Sequence, residues 1–185
     1  MPANGAQNWD FQRLTYAVKS DAPGGEPFRA EYQFGWQADA LRIAARVYDS
    51  SPSQSAENGD LKNGGDCLLV AFDLTGPDGK PAYLECGFAL GRNGPTSYQW
   101  DGAYGLESSK PFSAAVKRIA AGNGFVDYDI LIPRAMIQRG GLAQVGMSMA
   151  FINRAAAGAT QRIELGGGIL PQRDTAKMGV LFLSR

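Results

Sequence analysis

The sequence predicts an all-β chain, a two-sheet antiparallel sandwich of jelly-roll type with about ten strands and at most one or two short helical turns. Three observations predict it. Apolar residues recur with a period of two in run after run. Most of the 24 glycines and 10 prolines fall between those runs, where they mark turns. Helical periodicity is almost absent from the chain.

The elements follow in order. Residues 14–18 make a weak first strand. Over 28–36, Phe28, Ala30, Tyr32 and Phe34 share one face. Over 40–48, Leu41, Ile43, Ala45 and Val47 alternate with Arg42 and Arg46, so one face is expected buried and the other wet. Residues 67–72 are a nearly continuous apolar run, followed by the turn Gly76-Pro77-Asp78-Gly79 and a strand over 82–90, which together read as a hairpin. A second weak strand covers 113–119. Val126, Tyr128, Ile130 and Ile132 then alternate with Asp127 and Asp129. Residues 133–139 read as a helical turn, with Pro133 at its first position, where a missing N–H costs nothing. Val145, Met147, Met149 and Phe151 form another alternating strand, Ile163 and Leu165 mark a short one, and 178–183 closes the fold two residues before the end of the sequence.

The chain's 185 residues suit one domain over 1–185, long enough to bury about 70% of the surface the unfolded form would expose. Lys plus Arg equals Asp plus Glu, 18 against 18, so no long-range field draws polyanions, and nucleic acid is not an expected partner. Histidine is absent, which excludes imidazole-dependent triads and His-ligated metals. Cys67 and Cys86 lie on successive strands, nearly opposite if the turn is at 76–79; they form either a cross-strand disulfide or two small buried thiols. No membrane partner is expected from so balanced a charge. The first seven residues lack a basic start and an apolar run, and no stretch is apolar enough to span a bilayer, so either the protein is cytoplasmic or a secretion signal belongs to a longer parent chain.

Four segments in succession carry a resemblance. Residues 36–49 form a strand ending in Asp49. Residues 65–73 read Gly-Asp-Cys-Leu-Leu-Val-Ala-Phe-Asp. Residues 125–137 carry Val-Asp-Tyr-Asp-Ile-Leu-Ile-Pro and then the short helix. Residues 146–153 are followed by Arg162-Ile-Glu-Leu-Gly-Gly-Gly-Ile and by Met178-Gly-Val-Leu-Phe-Leu. This order resembles the family 9 carbohydrate-binding modules attached to bacterial glycoside hydrolases. The resemblance implies a two-sheet sandwich, sugar recognition without catalysis, and a linked or partner catalytic domain. It also implies an extracellular or periplasmic setting, with the signal sequence outside this chain, and structural calcium but no organic cofactor. Two positions differ from the family pattern: Leu165 stands where a sugar-clamping tryptophan is expected, and Arg154 where a carboxylate is frequent.

A sugar ring has an apolar C–H face and a hydroxyl rim, so its binder needs a flat aromatic and planar hydrogen-bonding groups. The run Tyr98-Gln99-Trp100-Asp101-Gly102-Ala103-Tyr104 supplies both in a stretch without strand alternation, which reads as a loop. Its aromatics either bind sugar or cap the core. Trp36 is a further stacking candidate or a core residue, and Asn153, Arg154 and Arg162 are rim candidates or members of surface ion pairs. The arginine fork also suits a uronic acid carboxylate. Asp49, Asp60 and Asp66 bracket a polar loop over 50–65 that either wraps a calcium ion or caps its own turns.

Carboxylates at Glu85, Glu107, Asp127, Asp129 and Glu164 raise glycoside hydrolysis as a third function, since Asp127 and Asp129 share a strand face about 7 Å apart. Regular alternation explains that pair without chemistry. The expected function is non-catalytic carbohydrate binding, with a structural accessory domain packed on an enzyme as the alternative.

Overall fold

The computed structural model describes residues 18–20, 28–37, 39–53, 61–74, 82–100, 110–111, 116–138, 143–154, 160–169 and 174–183. Along the chain these form β1 (Val18–Ser20), β2 (Phe28–Gln37), β3 (Ala40–Tyr48), α1 (Leu61–Gly64), β4 (Cys67–Asp73), β5 (Tyr83–Gly91) and β6 (Gly94–Trp100). There follow β7 (Lys110–Pro111), β8 (Val116–Gly122), β9 (Phe125–Pro133), α2 (Arg134–Ile137), β10 (Gln144–Arg154), β11 (Thr160–Leu165), a 3-10 turn (Thr175–Lys177) and β12 (Gly179–Phe182). One sheet has the order β1-β2-β3-β9-β8. The other runs β11-β10-β4-β5-β6-β7, with β12 paired to the first residues of β10. All pairings are antiparallel. The sandwich and most of its strands fall where the alternation places them, and the helical turn after Pro133 forms as α2.

The two sheets meet over a core that includes Phe28, Phe72, Phe88, Phe151, Leu41, Ile43 and Ile130, all buried. Register explains why the alternation is clean in β3 and β9. Leu41 faces Ile132, Ile43 faces Ile130, and Val47 faces Val126, so one apolar row from each strand points inward. Each such side chain contributes about 1.5–3 kcal/mol relative to exposure, and none has a polar atom to satisfy.

The other face of β3 departs from expectation. Arg42 is not wet but only 2% exposed, and it makes a bidentate pair with Asp129, Nε to Oδ1 at 2.7 Å and Nη2 to Oδ2 at 2.8 Å. Arg46 pairs in the same way with Asp127, at 2.7 and 2.8 Å, and lies 4.0 Å from the Phe125 ring. The β3–β9 register sets Arg46 opposite Asp127 and Arg42 diagonal to Asp129. The two aspartates therefore serve two arginines and do not form a facing carboxylate pair.

Cys67 and Cys86 form no disulfide; both are buried free thiols. The hairpin register sets Cys86 opposite Val70, three residues from Cys67. An odd offset puts the two on opposite faces of the sheet. Burial pushes the Cys67 thiol up to about 12.

Candidate functional site

The reading of 98–104 as loop is corrected in its first half. Residues 94–100 are strand β6, paired with β5 along its length. Its alternation is inverted: the polar Ser97 and Gln99 point into the sandwich and are buried, while Tyr98 and Trp100 point outward and are half-buried. An outward aromatic beside an inward glutamine does not read as a strand under a rule that expects apolar residues inside. Tyr104 lies outside the described residues.

That outward face of the seven-stranded sheet carries a second apolar layer. Leu61, Cys67, Leu69, Ala71, Tyr83, Ala89, Ile152, Ile169 and Met178 are buried there, with Tyr98 and Trp100 packed against them. Two short segments cover it. Helix α1 inserts Leu61, which is fully buried. After β11, Gly166, Gly167 and Gly168 take φ of 87°, 74° and 92°, a run open only to glycine, and return the chain so that Ile169 packs inward. The Ile169 N–H donates to Glu164 Oε1 at 2.5 Å, which also accepts the Ser148 hydroxyl at 3.3 Å.

At one end of this layer the groups converge. The Trp100 indole leans across Gly87, filling the place a side chain would take: a Cβ there would lie 2.5 Å from Cη2 and 2.6 Å from Cζ3. Tyr98 meets Trp100 edge-on, with ring centroids 5.3 Å apart. Lys62, from α1, stands 4.5 Å from the indole centroid and forms an ion pair with Glu85, itself only 3% exposed. The Tyr83 hydroxyl donates to Glu85 Oε2 at 3.5 Å. The cluster combines a half-exposed flat aromatic with a cation, a carboxylate and a phenol. Sequence reasoning misses Lys62 and Tyr83; a lone lysine in a polar loop gives no signal.

The remaining sequence candidates separate. Trp36 lies among residues packed on the main core, its Nε1 donating to the Phe182 carbonyl at 3.2 Å and its ring 4.1 Å from the Arg134 guanidinium. Asn153 points to the opposite side of the sheet from Arg154 and donates to Gln161 Oε1 at 3.1 Å. Arg154 and Arg162 share the outer face and are both exposed. Leu165 lines a cleft of about 160 Å³ at the edge of the sandwich, with Tyr32, Phe34, Met147, Met149 and Leu181.

Asp49 and Asp66 do come together, while Asp60 lies outside the described residues. Asp66 accepts backbone N–H groups on both oxygens, from Arg154 at 2.7 Å and from Ser53. Asp49 Oδ1 accepts from Ser51 N at 2.8 Å, and its Oδ2 is buried without a hydrogen bond among the described residues. Burial raises the Asp66 carboxyl to about 6, with backbone donors opposing the shift and the Asp49 charge adding to it. Calcium takes six to eight oxygens, and this pair leaves one uncommitted. Among the described residues no group of three or more acidic, Cys or His side chains could hold a metal. Residues 54–60 of the polar loop, Asp60 among them, lie outside the described residues.

Comparison with solved structures agrees with the architecture. The chain is similar to a family 9 carbohydrate-binding module from Caldicellulosiruptor kristjanssonii in complex with glucose, at TM-score 0.59 and 10% identity, covering 100% of this chain and 92% of the other. It is also similar to a family 9 module from that organism in complex with cellotriose, at TM-score 0.57 and 10% identity, covering 91% and 82%. No protein-family model matches the chain, and no curated protein matches it in sequence. The fold is that of a family 9-like carbohydrate-binding module.

Proposed function

We propose that this chain binds carbohydrate, without cutting it, on the outer face of the seven-stranded sheet. The observation that carries the reading is the Trp100 cluster: a half-buried indole and an adjoining phenol beside the Lys62–Glu85 pair and the Tyr83 hydroxyl. The exposed part of the indole offers an apolar surface to the C–H face of a sugar ring. Lys62 brings ammonium donors to the same spot, and Glu85 and Tyr83 add acceptors and a hydroxyl for the rim. The solved structures of like fold hold glucose and cellotriose. In the wider reading the domain sits outside the cytoplasm and raises the local concentration of polysaccharide for a linked or partner catalytic domain.

The test is a glycan-array and affinity-gel screen of the full chain beside Trp100→Ala. Retention of a sugar by the wild type that disappears in the variant supports the reading. Absence of binding across a broad neutral and acidic panel overturns it.

One observation favours a second reading, a structural accessory domain. Phe34, Val180 and Phe182 are exposed large apolar side chains, at 45%, 60% and 64%. Phe34 and Val180 line the same cleft, and the Phe182 carbonyl accepts from Trp36. Exposed apolar surface of this kind suits packing against a neighbouring domain.

A further inference from the structure

Two cations on the outer face have no carboxylate between them. In the β10–β11 register Arg154 lies opposite Thr160 and Arg162 opposite Ile152, which makes the arginines diagonal neighbours on one face. Such positions lie about 7–8 Å apart, within reach of long side chains. Both residues are exposed. The hairpin joining their strands reads Ala-Ala-Ala-Gly-Ala in sequence and supplies no acid. Asp66 and Glu164 already accept hydrogen bonds. Asp66 accepts backbone N–H groups of Ser53 and Arg154, and Glu164 Oε1 accepts the Ser148 hydroxyl and the Ile169 N–H.

Arg162 makes no hydrogen bond or ion pair among the described residues. Arg154 donates from Nη1 to the Asn63 carbonyl, which holds its guanidinium toward α1. The residue before Asn63 is Lys62, the cation over Trp100. Arg154 and the aromatic cluster are therefore linked through one four-residue helix. Two like charges at diagonal positions repel, and a bridging anion relieves that repulsion.

We infer that the sugar recognised by this face is acidic: a polysaccharide whose carboxylate or sulfate groups bridge Arg154 and Arg162 while another residue of the same chain stacks on Trp100. The inference rests on the carbohydrate reading above and names its substrate class. Net charge does not explain such binding in advance, because acidic and basic residues balance at 18 each.

The test is affinity electrophoresis and calorimetry with three probes: polygalacturonate, dextran sulfate and cellotetraose. The proteins are wild type, Arg162→Gln, Arg162→Lys and Trp100→Ala. Arg162 has no described partner, so its replacement is expected to leave the melting temperature unchanged. The expected result is retention by an acidic probe, weakened about tenfold in Arg162→Gln and in 200 mM salt, and partly restored in Arg162→Lys. Polygalacturonate alone identifies a carboxylate as the bridging group, and dextran sulfate alone a sulfate ester; either supports the inference. Equal binding of acidic and neutral probes, or acidic binding unchanged in Arg162→Gln, overturns it. Cellotetraose binding lost in Trp100→Ala, without acidic binding, overturns this inference and keeps the carbohydrate reading. Acidic binding lost in Arg162→Gln but kept in Trp100→Ala locates sugar at the arginines and removes Trp100 from the site.

Discussion

Gly87→Ala tests the packing of the candidate site without touching its aromatic. Gly87 has strand geometry, so an alanine there meets no backbone penalty. The new methyl would stand 2.5 Å from Trp100 Cη2, 2.6 Å from Cζ3 and 3.4 Å from a Leu69 methyl. Carbon atoms rest at about 3.5–4.0 Å, so the indole must move by about 1 Å. Overpacking of that kind costs about 1–3 kcal/mol, and the half-exposed ring can yield toward solvent, which favours the lower half of the range. Replacing glycine also returns about 0.4–1 kcal/mol through the unfolded chain. The expected net loss is about 1 kcal/mol, a drop of roughly 2–4 °C in melting temperature for a domain of this size. Trp100→Ala alone should cost about 2 kcal/mol, near half the usual figure for a fully buried aromatic. Once the indole is gone the methyl has room, so Gly87→Ala should become neutral or slightly stabilising in the Trp100→Ala background. Urea unfolding of the four proteins measures the coupling, expected at about 1–2 kcal/mol. Additive effects would refute the packing of the indole over Gly87, and with it the surface assigned to sugar.

Three further outcomes follow from the geometry. Asp129→Ala should cost about 3 kcal/mol because it strips a pairing partner from a guanidinium that is 2% exposed, whereas Asp127→Ala, opposite a far more exposed Arg46, should cost about 1 kcal/mol or less; equal losses in urea unfolding would contradict this. Asp66 is raised in the fold from 3.8 to about 6, so its contribution is fully present below the lower value and lost as pH rises through the upper one. Stability should therefore fall by up to about 3 kcal/mol between pH 4 and 7.5, and Asp49→Asn, which removes the neighbouring charge, should flatten the profile; a flat wild-type profile would refute the raised Asp66 carboxyl. Cys67 and Cys86, buried on opposite faces, should resist a thiol reagent until the chain is unfolded, and reductant should leave the melting temperature unchanged; rapid native labelling would contradict their burial.

The parts of the fold legible in sequence are those where burial and polarity agree. β9 shows it best, with Val126, Tyr128, Ile130 and Ile132 buried and Asp127 and Asp129 half-buried between them. β6 is hidden because Gln99, fully buried and with neither amide atom hydrogen-bonded among the described residues, faces in while Trp100 faces out. The fate of Arg42 depends on a register that alternation within one strand does not contain. The cysteines show the same limit, since a shift of one residue in the hairpin register would put both on one face. Helix α1 is a single turn, too short for a period, and only the lone Leu61 in a polar loop points to it. The site is legible by half. Tyr98, Trp100, Arg154 and Arg162 stand out by residue type and share one face, but Lys62 and Glu85 join them only through tertiary packing.

Strand β12 has a consequence for handling the protein in solution. Among the described residues it pairs only with β10, and it presents Gly-Val-Leu-Phe with no charge in the strand. Natural sheets guard such margins with lysine, proline or a bulge, because a bare margin templates the next chain. The margin here carries Val180 and Phe182 outward instead. Val180→Lys is expected to raise the concentration at which the protein stays dispersed while leaving every inward side chain in place.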